Sequence, residues 1–231
     1  MHPTKKQLNE CSKSKDGIIA TIFNRKLSII ITKYSAILGI TPTQMNFLSF
    51  LCVLISAYLV IRVNHSLFIV AAIMAQLSLT LDCCDGELAR LYNKASNWGG
   101  FVDASLDRIS ELIIFLALSY AFYIQTGNHY AWLYGMLSLA SIYLTYLMID
   151  LTVKNFGKEK LRKEHLESFL GKISRATGIQ PHHLAIGIDF HWFIISLGLL
   201  LNKIWWIFLF FIIIQNLYWI VIMLKVYTSK K

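Results

Sequence analysis

The sequence is short of charge: Asp, Glu, Lys and Arg supply 15% of its 231 residues, where a soluble domain carries about 25%. Acids are scarcest, with 13 Asp and Glu against 22 Lys and Arg. Three prolines and 12 glycines exclude collagen-like and linker-rich architectures. The four cysteines are Cys11, Cys52, Cys83 and Cys84; two are adjacent, so they do not read as a disulfide framework. They also lack Cys/His metal spacing, and Cys83 and Cys84 are expected to point into helix packing. What the chain has is apolar surface. Hydrophobic residues make up 56%, and the mean hydropathy is +0.54. That balance excludes an ordinary cytosolic globule and a disordered chain.

A membrane span needs about 20 mostly apolar residues. Six such runs are present: Met45–Val63, Ser66–Leu81, Gly100–Ile124, Tyr130–Val153, Leu184–Leu201 and Ile204–Leu224. The fold class expected is all-α, a polytopic membrane bundle of six transmembrane helices preceded by a juxtamembrane amphipathic helix. In that preceding helix, Phe23, Leu27, Ile30, Ile31, Tyr34 and Leu38 share one helical face. Asn24, Arg25, Lys26, Ser28, Thr32, Lys33 and Ser35 lie largely off it, as in a helix lying in the interface. Residues 1–38 are read as a cytoplasmic N-terminal segment with this interfacial helix, and 39–231 as the six-span domain. The polar first 16 residues are too long and too charged for a cleavable signal.

Basic residues set the orientation. With both termini on one side, that side receives 19 Lys and Arg, and the other only Arg62 and Lys203. Both termini are therefore expected in the cytoplasm; for a prokaryotic source the membrane is the cell membrane. The excess of positive charge suits an anionic leaflet and calls for no nucleic acid.

An ionisable group inside a span is costly and marks function by default. Six of the 13 acids fall between Asp82 and Glu111. Asp82 and Asp85 are three apart and share a helix face; Asp103, Asp107 and Glu111 are four apart and share another. A short connection makes the two helices antiparallel neighbours, so four carboxylates are expected to converge. Mutual repulsion of such groups is resolved by hard divalent cations. Two ions ~4 Å apart suit displacement at phosphorus. Gly86 and Gly99 permit close approach, and Arg90 can meet a phosphate. The bland alternative is surface ion pairing, Asp82 and Asp85 with Arg90, Asp103 and Asp107 with Arg108. Glu111 can either orient Asp107 or pair with Arg108. Asp150 and Asp189, in or near spans, are read as structural, and His182 and His183 as the start of the fifth span.

The acidic stretch resembles the signature of the CDP-alcohol phosphotransferase family, D-x2-D-G-x2-A-R-x8-G-x3-D-x3-D. All eight fixed positions are present: Asp82, Asp85, Gly86, Ala89, Arg90, Gly99, Asp103 and Asp107. Ile40-Thr41-Pro42 also resembles the "ITPN" opening of that family's first span. Thr43 and Asn46 depart from that pattern and are left out of the site. The resemblance implies six spans, a homodimer, and transfer from a CDP-linked donor, often CDP-diacylglycerol, to a small alcohol or alcohol phosphate. It implies Mg2+ or Mn2+, two ions, held by Asp82, Asp85 and Asp103. Asp107 is implied as general base and as a further metal ligand. Gly86, Ala89, Arg90 and Gly99 are implied to line the nucleotide pocket.

The acceptor is read from smaller signs. Ala104-Ser105 stand where a choline or ethanolamine enzyme carries His-Gly. Asp103-Ala-Ser-Leu-Asp107-Arg108 differs from the "DPxADK" of the glycerophosphate branch. Together with Asp16-Gly17, Asn24-Arg25-Lys26-Leu27-Ser28 and Gly86-Glu-Leu-Ala-Arg90, it is similar to enzymes that transfer to inositol phosphate. Glycerol 3-phosphate is the next acceptor in order. Among the basic residues from Lys154 to Arg175, Lys154 is the candidate for the acceptor phosphate because it is closest to the end of span four. Outside this class, a divalent cation transporter is the rival reading, although its acids would sit at the midplane.

Overall fold

A computed structural model describes residues 3–12, 24–157 and 187–228, and every regular element among them is helical. The elements are α1 (Lys5–Cys11), α2 (Arg25–Leu38), α3 (Pro42–Ile61), α4 (His65–Leu91), α5 (Asn97–Thr126), α6 (Ala131–Phe156), α7 (Ile188–Leu200) and α8 (Ile204–Phe210). A π-helical turn, Phe211–Gln215, then leads into α9 (Asn216–Thr228).

Local chemistry explains the boundaries. Gly39 ends α2 in the left-handed region at φ 74°, a conformation that costs glycine least. Thr41 and Gln44 then form a capping box, with Pro42 in the first turn of α3. The Asn64 side chain caps α4 by accepting from the Ser66 and Leu67 N–H groups. Ser96 caps α5 by accepting from the Gly99 N–H at 3.0 Å.

Helices α3 to α6, and the stretch Ile204–Val221, are long and apolar enough to cross a membrane; α7 is a shorter apolar helix. These six segments follow the six expected runs in order. The second run continues into its polar stretch as expected: α4 extends ten residues past Leu81 and carries Asp82 to Arg90 on its last turns. The last run is interrupted by the π turn, where the backbone takes one extra residue per turn. The start of the fifth run, 184–186, with His182 and His183, lies outside the described residues.

Small residues let the helices approach closely. Ala71, Ala72 and Ala75 of α4 are buried, and Ser56 of α3 donates to the Ala71 carbonyl at 2.8 Å. At the α5–α6 contact, a Cβ on Gly135 would overlap the Ser119 hydroxyl. Gln76 of α4 donates to the Trp192 carbonyl and Ser196 hydroxyl of α7, at 3.1 and 2.9 Å. Phe115 and Phe211 meet edge to face at 5.0 Å, joining α5 to the π turn.

Helix α2 lies against α4 with its polar side inward. Leu27, Ile30, Tyr34 and Leu38 are exposed, whereas Ser28, Thr32 and Ser35 are buried. The reason is Glu87, which is fully buried. It accepts from Arg25 at 2.6 Å, Ser28 at 2.8 Å and Thr32 at 2.7 Å. The apolar face is thereby left outward for lipid. Cys83 and Cys84 are buried, and the Cys84 thiol donates to the Ser28 and Thr80 carbonyls.

Candidate active site

The site occupies the end of the bundle where α4 finishes and α5 begins. Residues 92–96 join the two helices, with Asn93 in the left-handed region at φ 53°, which Asn tolerates. This tight return brings Asp82, Asp85 and Asp103 together: one carboxylate oxygen from each lies within 4.8 Å of the others. Asn46 of α3 donates to Asp103 Oδ1 at 3.0 Å. That bond orients the Asp103 carboxylate. The donor set is three hard oxygen ligands with no sulfur or nitrogen, and it suits a divalent cation of the Mg2+ class.

Two spaces adjoin the trio. The larger, about 540 Å³, is walled by Asp85, Gly86, Ala89, Arg90, Gly99 and Asp103, together with Lys94, Trp98 and the first turn of α3. Its volume is within the ~300–1,000 Å³ of small-molecule sites. All four residues implied for the nucleotide pocket line it. A Cβ on Gly86 would come to 3.3 Å of Arg90 Nη1, so the missing side chain lets the guanidinium lie along α4. Arg90 Nε donates to the Cys11 carbonyl of α1. A Cβ on Gly99 would likewise crowd the capping Ser96 oxygen, at 3.3 Å.

The smaller space, about 10 Å³, has room for roughly one water. Asp82, Asp107, Asn46, Ser110 and Trp192 are among its walls. Asp107 therefore lies outside the group of three, one helical turn deeper on α5. Four carboxylates were expected to converge; three do so within 4.8 Å, and the fourth faces the inner space beside Asp82. The depth is a consequence of spacing, because each four-residue step along α5 moves about 6 Å along the axis.

The arginines do not read as mere partners of the motif acids. Arg108 reaches Glu111 at 3.3 Å, and Arg90 is engaged by α1. Lys154 is exposed on the last turn of α6 and is not among the walls of either space. Lys158 to Arg175 lie outside the described residues, as does Asp16-Gly17. Asp150 is exposed and Asp189 is buried in the first turn of α7.

Two residues near the site escape sequence reasoning. Asn46 was left out because its position departs from the family pattern, yet it holds Asp103. Lys94 lines the large space; its one sequence signal is a basic residue inside the connection between the two acidic helices.

Comparison with known proteins follows the same stretch. The family model for CDP-alcohol phosphatidyltransferase matches residues 39–226. A bifunctional IPC transferase and DIPP synthase of Archaeoglobus fulgidus is 32% identical over 224 residues, 94% of this chain and 40% of that protein. An archaetidylinositol phosphate synthase of Pyrococcus horikoshii is 38% identical over 38% of this chain and 46% of that protein. A phosphatidylinositol phosphate synthase of Cutibacterium acnes is 27% identical over 50% of this chain and 56% of that protein. The matches cover less than half the length of the first two relatives. With five segments among the described residues long and apolar enough to cross a membrane, and a family match over most of its length, the chain is an integral multi-pass membrane protein and belongs to the CDP-alcohol phosphatidyltransferase family.

Proposed function

We propose that this protein transfers a phosphatidyl or related phospho-alcohol group from a CDP-alcohol to a hydroxyl of an inositol phosphate, releasing CMP. The observation that carries this reading is the trio of carboxylates, two of which, Asp85 and Asp103, wall a 540 Å³ space together with Gly86, Ala89, Arg90 and Gly99. Family membership supports the reaction class. The relatives named archaetidylinositol phosphate synthase and phosphatidylinositol phosphate synthase support the acceptor over glycerol 3-phosphate.

The residues divide the work. Arg90 and the two glycines receive the diphosphate and nucleotide at the wall of the large space. Asp82, Asp85 and Asp103 would hold the metal, and Asp107 would be a further ligand to a second ion. Two divalent ions, Mg2+ or Mn2+, supply charge neutralisation for the diphosphate when bound. Asp107 takes the proton from the acceptor hydroxyl, whose oxygen forms a bond to the phosphorus that carries the alcohol. The bond from that phosphorus to the bridging oxygen breaks, and CMP leaves with that oxygen. A hydroxyl is a weak nucleophile without such a base. The charge asymmetry of the loops supports cytoplasmic termini and a cytoplasm-facing site, and the family resemblance supports a homodimer.

The test is release of CMP by purified protein in detergent with Mg2+ or Mn2+. CDP-diacylglycerol, an archaeal-type CDP-lipid and CDP-inositol are offered as donors. Inositol 1-phosphate, glycerol 3-phosphate, serine and free inositol are offered separately as acceptors. Turnover with inositol 1-phosphate is expected. Preference for glycerol 3-phosphate would overturn the acceptor, and failure to bind any CDP-alcohol in the presence of metal would overturn the reaction.

Lys154 retains its proposed part in holding the acceptor phosphate. Lys154→Ala is expected to raise the KM for a phosphorylated acceptor roughly tenfold, the size of one lost charged hydrogen bond. The KM for an unphosphorylated alcohol should stay level. Equal KM values for wild type and variant with the phosphorylated acceptor would remove Lys154 from the site.

A further inference from the structure

Glu111 is almost completely buried, at 1% exposure, in the interior of a membrane bundle. A buried carboxylate with its counter-ion is a poor source of stability, since well-packed apolar residues of the same volume often do better. This one lies four residues beyond Asp107, on the same face of α5. Three side chains attend it. Arg108 Nη1 approaches Oε2 at 3.3 Å. The Tyr146 hydroxyl of α6 donates to Oε1 at 2.8 Å. His191 Nδ1 of α7 stands 3.6 Å from Oε1 and 3.4 Å from the Tyr146 hydroxyl.

The cluster closes on itself. The Arg108 guanidinium lies over the Tyr146 ring, 3.5 Å from its centroid, a cation–π contact. Tyr143 of α6 donates to the Arg108 carbonyl at 2.8 Å. Helix α6 therefore holds both the side chain one turn beyond Asp107 and the backbone immediately after it. On α7, His191 reaches Glu111, while its neighbour Trp192 walls the inner space that Asp107 faces. Two helices, α6 and α7, thus converge on one turn of α5.

Resting on the transferase reading above, we propose that Glu111 is a positioning residue for Asp107, braced by Tyr146 and His191. It sets the rotation and depth of the turn that aims the base into the inner space. General-base transfer needs the acceptor proton within hydrogen-bond reach, and small misplacements of a base cost rate more than binding.

The experiment compares wild type, Tyr146→Phe, Glu111→Gln and the double variant in the CMP-release assay, with donor binding measured on the same preparations. Tyr146→Phe removes one hydroxyl and keeps the ring under Arg108, so it carries the test even if Glu111→Gln fails to fold. A fall in kcat of about tenfold is expected for each, ~1.4 kcal/mol of barrier. KM values for donor and acceptor should stay within twofold, donor affinity should be unchanged, and the double variant should be no slower than the slower single one. A kcat within twofold of wild type for Tyr146→Phe would overturn the proposal. So would a loss of donor affinity in step with kcat, which is what general loosening of the bundle produces. Wild-type protein inactive with every CDP-alcohol would overturn the transferase reading as well. Wild-type turnover with unaffected variants would overturn the positioning role alone.

Discussion

Asp107→Asn protein should keep most of its affinity for the CDP donor, losing less than Asp85→Asn does, and release CMP at least a hundredfold more slowly. Asp107 lies outside the three carboxylates that meet within 4.8 Å, and it is not among the walls of the large space. Exchanging one oxygen for an amide nitrogen preserves its volume beside Asp82 in the inner space. What disappears is the ability to accept a proton, and a positioned base contributes roughly 10²–10⁴ in rate. Asp85→Asn is the contrasting variant: it weakens the metal trio and a wall of the donor space together, so donor binding in the presence of metal should fall with turnover. CMP release and direct donor binding, measured side by side, separate the two. Asp107→Asn turning over at the wild-type rate would strip Asp107 of its role as base.

Glu87→Ala should be the most damaging single substitution for stability. The carboxylate is fully buried and receives three donors from α2. Removing it leaves the Arg25 guanidinium, the Ser28 hydroxyl and the Thr32 hydroxyl without that acceptor. Breaking one half of a buried pair costs about 3–5 kcal/mol. For a chain of this size that is a drop in melting temperature on the order of 10 °C. Replacing both partners with apolar residues, Arg25→Met with Glu87→Leu, should recover most of the loss, because the buried pair is then replaced as a unit. Thermal melts of the three proteins in one detergent check this. A melting temperature for Glu87→Ala within about 2 °C of wild type, well under the shift expected for a broken buried pair, would show that α2 is held by something other than Glu87.

Much of the site was legible because it is local. Eight motif positions fall within 26 residues, and spacings of three and four translate directly into helix faces. The six apolar runs were legible for a similar reason, since hydrocarbon thickness sets their length. What was hidden depends on distance along the chain. Asn46 is 57 residues from the Asp103 it orients, and no periodicity links them. Glu87 looked like one more acid of the motif stretch; its partners lie 55 to 62 residues upstream. The amphipathic pattern of α2 was readable, and its apolar face does point outward, but only Glu87 explains why Ser28 and Thr32 point in. The π turn at Phe211–Gln215 has no counterpart in the residues Phe-Ile-Ile-Ile-Gln, which would suit an ordinary α-helix equally well. Glu111 stood between two readings on spacing alone. Its ion pair with Arg108 is observed, and Tyr146 and His191, 35 and 80 residues downstream, could not have been assigned to it from the sequence.

The α4–α5 return has a consequence in time as well as in space. Contacts between residues close in sequence form early, and a chain folds from its N-terminus as it is made. Asp82, Asp85 and Asp103 stand on one hairpin, so they can gather while the remainder of the chain is still being synthesised. The parts that brace Asp107 arrive later: Tyr146 with the following helix, and His191 only in the last fifth of the protein. A nascent chain can therefore gather the three acids proposed for the metal well before it braces the proposed base, whose supports are complete only as α7 is threaded in beside the hairpin.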